Sequence, residues 1–170
     1  MEERLSTMES LPDPRCAGAM NEILETLRTP VLLAATVAAG LQAGTYYTWA
    51  SGVMPGLART DDRTFVSSMN HVNVAIVNPV FLLTFLGAPA LAAAAVATSS
   101  PATRGWVIAG LACAVGTVVV TAAGNIPLND ALAAGGSRAD FESAWVHWNV
   151  VRTVTSTGAL AALAWAALRA

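Results

Sequence analysis

Trp145, Asn149, Arg152 and Ser156 recur at i, i+4, i+7 and i+11. A helix through "WVHWNVVRTVTS" therefore sets a ring, an amide, a guanidinium and a hydroxyl on one stripe. The segment runs on into the apolar stretch at the end of the chain, so Arg152 falls just inside a hydrocarbon boundary. An unpaired arginine there costs up to about 3 kcal/mol, and must either snorkel to the surface or turn into a protein interior. The polar company on its stripe favours the interior. A guanidinium beside an amide can hold an oxyanion or a carboxyl, or lock neighbouring asparagines in place.

Other residues with chemistry gather at matching helix ends. Gln42, Tyr46 and Trp49 share a stripe on an earlier helix, and His71 and Asn78 lie seven apart, with Asn78 about 10 Å deeper. His71 is the candidate base, being the histidine whose stripe points towards a buried polar residue. Asn70 and Asn73 flank it. Asn78 precedes Pro79, so its amide either satisfies the backbone at a proline bend or lines a pocket. Asn125 and Asn129 flank Pro127, where asparagine serves equally as a cap or a turn former. Trp145, Trp148, Trp49 and Tyr46 suit a substrate-stacking role, and the same residues with Tyr47 would make an interfacial aromatic belt. His71 and His147 could hold a haem or metal between helices, but His147 falls off the stripe of its neighbours and no carboxylate or thiol stands at ligand spacing. A glycine-rich phosphate loop, a nucleophile elbow and paired carboxylates are all missing from the motif inventory.

These residues need a scaffold, and composition points to a membrane. Of 170 residues 55% are apolar and 12% charged, against roughly 25% charged in soluble domains. Mean hydropathy is +0.55. Six of eleven acids and three of nine bases precede Pro30, leaving the rest poorer still in charge. Net charge is -2 with no basic run, which argues against a nucleic-acid partner. Cys16 and Cys113 form neither a disulfide framework nor a metal knuckle.

Four stretches are long and apolar enough to span about 30 Å of hydrocarbon: residues 30–53, 72–97, 105–124 and 149–168. Thr29 and Pro30 read as cap and first turn of the first. Its Gly40 and Gly44, four apart, read as a close helix approach. The second helix starts ahead of the membrane at Thr60, Asp61 and Asp62 and bends at Pro79 and Pro89, freeing a carbonyl near Ala75. Pro127 in "GNIPLND" ends the third. The fourth begins early, with Ser137 three before Asp140 as a capping-box variant. The expectation is an all-α, antiparallel four-helix transmembrane bundle over residues 20–170, with helices two and four extending beyond the bilayer on one face. Residues 1–19 read as a polar or disordered tail. That topology brings the polar and aromatic helix ends to one face.

Two motifs in order, "GNIPLND" closing the third span and "WNVVR" opening the fourth, follow a small-residue first span that ends in aromatics. In these the chain resembles the anthrone oxygenase-like family of small four-span membrane proteins, over residues 30 to 168. Many relatives carry a histidine directly after the asparagine of the last motif; here Val150 stands there, so no task of that histidine carries over. The resemblance implies oxidation of anthrones with dioxygen as co-substrate, needing neither flavin nor metal. An anthrone loses a proton to give an electron-rich oxyanion that can pass an electron to dioxygen. His71 would be the base, Arg152 with Asn149 the oxyanion partner, Tyr46, Trp49 and Trp145 the stacking surface, and Asn125 and Asn129 the rim.

The expected function is a membrane oxidoreductase of oxygenase type acting on a lipophilic, anthrone- or quinol-like molecule. A non-catalytic binder or carrier of a lipophilic ligand with a polar head is the alternative, and a bis-histidine haem or metal protein a third. The partners implied are a small lipophilic molecule and membrane lipid, with a homo-oligomer open. Arginines near the spans divide evenly between the faces; the acidic amino terminus is unlike a secretion signal. The expectation is a cell inner (plasma) membrane with both termini cytoplasmic.

Overall fold

A computed structural model describes residues 14–170, with side chains from residue 18. Among these the protein is all-α: α1 (Pro14–Thr48), a π-helical turn (Trp49–Val53), α2 (Met54–Leu57), α3 (Asp62–Ala75), α4 (Pro79–Thr98), α5 (Arg104–Val120), a second π-turn (Thr121–Asn125), α6 (Ile126–Ala133) and α7 (Arg138–Ala167). Four continuous helical stretches are long and apolar enough to cross a membrane: Gly18–Leu57, Pro79–Thr98, Arg104–Ala133 and Arg138–Ala167. Around the bundle, α1 packs on α4 and α7, and α5 packs on the same two. Leu33, Val37, Leu83, Val119 and Val154 are exposed on the outer faces, as a chain solvated by lipid requires.

Three boundaries depart from the sequence expectation. α1 runs through Pro30 instead of starting there, because the helix-forming "NEILETLR" already supplies the turns before it and Pro30 forgoes only its own amide bond. Residues 14–19 belong to this helix, and the rest of the expected tail lies outside the described residues. The second expected helix is not bent but broken. α3 ends at Ala75 and α4 starts at Pro79, with extended backbone at Asn78 (φ -128°, ψ 162°). Pro127 does not end the third span either. The helix widens to i→i+5 bonding, with the Ile126 amide donating to Thr121 O. This gives the proline ring room where an α-turn would press it on the carbonyl four residues back. The turn before Pro55 does the same, Met54 N donating to Trp49 O.

The two halves of the chain repeat one plan. "ASGVMP" (50–55) and "AAGNIP" (122–127), each in a π-turn and its exit, share alanine, glycine and proline at matching positions. "FVSSMNHVNV" (65–74) and "FESAWVHWNV" (141–150) share Phe, Ser, His, Asn and Val. The caps correspond as well: Asp61 accepts from Thr64 N and Ser137 from Asp140 N, each four residues before the shared phenylalanine. Phe65 and Phe141 meet edge to face with ring centroids 6.1 Å apart.

One end of the bundle is packed by small residues, with Ala35, Ala39, Ala92, Ala95, Ala159 and Ala166 around Leu32, Val107 and Leu163. The tight approach expected at Gly40 and Gly44 is elsewhere: a Cβ on Gly44 would meet nothing within 4 Å and one on Gly40 only ordinary contact, because that face of α1 looks outward at Gly44. The close approaches are Gly110, where a Cβ would lie 2.7 Å from Leu163 Cγ, and Gly124, where it would lie 2.6 Å from the Trp148 ring. The other end is built from Met54, Phe65, Met69, Leu132, Phe141 and Trp145.

Candidate functional site

The stripe on α7 forms as its spacing predicts: Trp145, Asn149, Arg152 and Ser156 are all buried, while His147 is exposed. Arg152 does not snorkel. Its guanidinium lies over the Tyr46 ring at 4.6 Å and the Trp145 ring at 5.1 Å, and Nη2 donates to Asn149 Oδ1 at 2.9 Å. Asn149 Nδ2 in turn donates to Tyr46 O at 3.2 Å, just ahead of the first π-turn. No carboxylate pairs with Arg152 among the described residues, whose salt bridges both belong to Arg138. Arg152 Nε is buried without a hydrogen-bond partner. A buried cation held by rings and one amide retains unspent donor capacity.

Arg152 is one of the residues that line a cavity of about 240 Å³. Its walls come from Tyr46 and Trp49 on the first span, Asn73, Ile76 and Val77 at the end of α3, Phe81, Leu82 and Phe85 on α4, Thr121, Ile126 and Asn129 around the second π-turn, and Trp145 and Arg152 on α7. Exposed Val77, Leu82 and Ile126 stand at its edge. Trp49 and Trp145 pack at 5.2 Å, and Trp145 Nε1 donates to Asn129 Oδ1 at 2.9 Å, which orients both. The Tyr46 hydroxyl is buried and makes no hydrogen bond. The volume falls just below the roughly 300–1,000 Å³ of drug-sized sites.

Of the residues singled out in the sequence, Tyr46, Trp49, Asn129, Trp145 and Arg152 line this cavity, and Asn149 holds Arg152 from behind. The others lie elsewhere. His71 is exposed on α3, its Nδ1 donating to Ser67 O at 2.7 Å, in a shallow groove shared with Asn70, Val74 and Ala75. The expected alignment with Asn78 fails because helical phase stops at the break before Pro79. Asn78 caps α4, accepting from Phe81 N at 3.1 Å, while Nδ2 donates to the carbonyls of Ala75 and Ile76. The carbonyl freed by Pro79 is thus satisfied by the preceding side chain.

Gln42 donates to Thr84 Oγ1 at 2.7 Å beside a separate small void further along the bundle. Asn125 is fully buried and donates to Trp145 O at 3.3 Å. Trp148 lies on Gly124 and edge-on to exposed His147. Neither His71 nor His147 lines the cavity, and no group of three or more His, Cys, Asp or Glu side chains forms a metal cluster among the described residues. Thr45, Asn73 and Thr121 are the polar lining residues to which the sequence assigned no site role. The internal repeat could have found Asn73, since it is the counterpart of Asn149.

A family model described as anthrone oxygenase matches residues 68–162, more than half of the chain. The chain belongs to the anthrone oxygenase family. The matched segment includes Asn73, Thr121, Trp145, Asn149 and Arg152, while the family match does not reach Tyr46 and Trp49 on the first span. No curated protein and no solved structure matches the chain.

Proposed function

We propose that the protein is a membrane oxidoreductase of oxygenase type that converts a lipid-dissolved anthrone-like molecule, with dioxygen, to the corresponding anthraquinone-like diketone. The observation that carries this reading is Arg152, a buried guanidinium with no carboxylate partner among the described residues, which lines a cavity whose wall is mainly aromatic and aliphatic, with Thr45, Asn73, Thr121 and Asn129 as its other polar members. Such a site binds a flat apolar ring system through one oxygen and stabilises that oxygen more as it becomes anionic.

Chemistry follows from that preference. Arg152 lowers the cost of losing a proton from the ring methylene, because the resulting charge resides on the oxygen it holds. The enolate passes one electron to dioxygen. Recombination of the superoxide and the ring radical forms a carbon–oxygen bond, the peroxide anion takes up a proton in place of the one the methylene released to solvent, and the hydroperoxide loses water to leave a second carbonyl. The methylene and dioxygen thus become a carbonyl and water, with no external reductant. Asn149 positions the guanidinium, Tyr46, Trp49 and Trp145 fix the ring plane, and Asn129 fixes Trp145. His71 takes no part here, because it lies on the outer face of α3.

The test is anthrone-dependent oxygen uptake by the purified protein in detergent or nanodiscs, with anthraquinone formed one for one and Arg152→Leu as the comparison. Uptake that depends on Arg152 supports the reading; equal uptake by Arg152→Leu overturns it. A second reading, a carrier of the same ligand, is favoured by a cavity wall that, among the described residues, carries no histidine or carboxylate. It is recognised by saturable tryptophan quenching with no oxygen uptake.

A further inference from the structure

We infer that a second, smaller void, one helical turn along the bundle from the cavity, is a binding site for dioxygen and supplies the gas to a ring held in the cavity. Its part in turnover rests on the oxygenase reading given above.

All four crossing helices wall this void, whose volume is about 10 Å³, close to the least that admits one water-sized guest. Four matched steps fix its position. Gln42, Phe85, Thr117 and Ser156 line it, and four residues from each, towards the polar end, Tyr46, Phe81, Thr121 and Arg152 line the larger cavity. Phe85 belongs to both walls. One turn of helix, about 5.4 Å, therefore separates the two spaces. Phe85 and Pro89 stand near the middle of the 20-residue α4, which sets the void deep in the hydrocarbon.

Pro89 explains why the helices do not close there. Inside α4 it offers no amide to the Phe85 carbonyl, and its ring crowds that turn. The facing positions on α1, α5 and α7 are Ala39, Ala114 and Ala159, too short to fill the gap.

The wall selects the guest. Its polar side chains are already committed, because Gln42 Nε2 donates to Thr84 Oγ1, Thr117 Oγ1 to Cys113 O and Ser156 Oγ to Arg152 O. The Gln42 oxygen lacks a partner, but it also has almost no exposed surface and so does not meet a guest. A water there finds few of the two to four polar partners it needs, whereas apolar voids stay dry and take apolar guests. Dioxygen is small and apolar, and it dissolves in hydrocarbon more readily than in water. The half-buried members of the wall, Phe85, Pro89 and Val118, all lie on α4 and α5, which puts the entrance on the lipid side between those helices.

The test applies dioxygen itself to the full chain in nanodiscs, first without any ring substrate. Under dioxygen pressure, methyl NMR shows the Ala39, Ala114 and Ala159 signals relaxed faster by the paramagnetic gas than those of Ala92, Ala95 and Ala166, which are as buried but stand away from the void. Ala88→Leu fills the void and removes that excess. In oxygen uptake with anthrone the same variant raises the KM for dioxygen at least about fivefold, within what a fitting site gives a two-atom ligand, and leaves the KM for anthrone within about twofold. Ala114→Val gives the same reading through Ala39 and Ala159 if the leucine variant does not fold. Absence of the excess in the wild-type protein, or its persistence in both filled variants, overturns the site. A dioxygen KM unchanged in a variant that has lost the excess overturns the role in supply. Excess relaxation that Ala88→Leu removes, with no oxygen uptake on anthrone, upholds the dioxygen site and removes the oxygenase reading.

Discussion

At one end of the bundle, alanines and Gly110 let α1, α4, α5 and α7 approach closely, and Leu163 fills the space where a Cβ on Gly110 would stand. At the other end, the rings of Trp49, Phe65, Phe141 and Trp145, two π-turns and the break before Pro79 keep the same helices from closing. Small side chains give packing without room, whereas large ones held by hydrogen bonds give room without collapse. A site in lipid needs both, because no hydrophobic force between helices holds it together there. The close-packed end supplies attachment, and the aromatic end holds the polar groups.

Substitutions at the two ends should therefore fail in different ways. On the proposed function, Arg152→Leu acts on chemistry. We expect anthrone turnover to fall about 10²–10³-fold, as for loss of an oxyanion donor, with helicity retained; circular dichroism and oxygen uptake on one sample check it. Gly110→Ala acts on packing. Its new methyl, 2.7 Å from Leu163 Cγ, should lower unfolding free energy by about 1–3 kcal/mol. Gly44→Ala, facing open space on α1, should be neutral or stabilise by up to about 1 kcal/mol. Equal melting shifts from the two glycine changes would erase the contrast.

Smaller effects sharpen the comparison at the breaks. Asn78→Ala removes both the α4 cap and the partner of the Ala75 carbonyl, for about 0.5–2 kcal/mol in chemical denaturation. The smallest effect belongs to Asp61, outside the spans. The Thr64 amide and hydroxyl hold its carboxyl below the ordinary aspartate value. A depressed folded value means that the cap contributes above the unfolded pKa of about 3.9 and loses its contribution as pH falls through the folded value. Asp61→Asn should therefore melt with a flatter pH dependence than wild type between about pH 5 and 2. Identical slopes would exclude the cap as a titrating element.

The parts of this arrangement written in helical periodicity were readable from sequence. The α7 stripe, its Ser137 cap and the four apolar stretches needed only a period of 3.6 and a length. What escaped depended on hydrogen-bond ring size or on continuity through proline. His71 seemed to face Asn78 because phase was carried across Pro79, where the chain in fact leaves the helix. Pro127 seemed a stop because a π-turn leaves no hydrophobic signature. Asn125 and Trp148 were recognised as polar and aromatic, but their partners, Trp145 O and Gly124, come from tertiary packing. Asn73 was legible in another way, through the match of residues 65–74 with 141–150.

The break before Pro79 also fixes a length. α4 has 20 residues, about 30 Å of rise and so close to the hydrocarbon thickness of a bilayer, while the other three crossing stretches have 30 to 40. Those three can tilt or protrude to suit a thicker or thinner membrane, but α4 has no length in reserve. Its first turns carry Phe81 and Leu82 at the cavity wall, so on the proposed function lipid chain length should govern how readily a dissolved ring slips in.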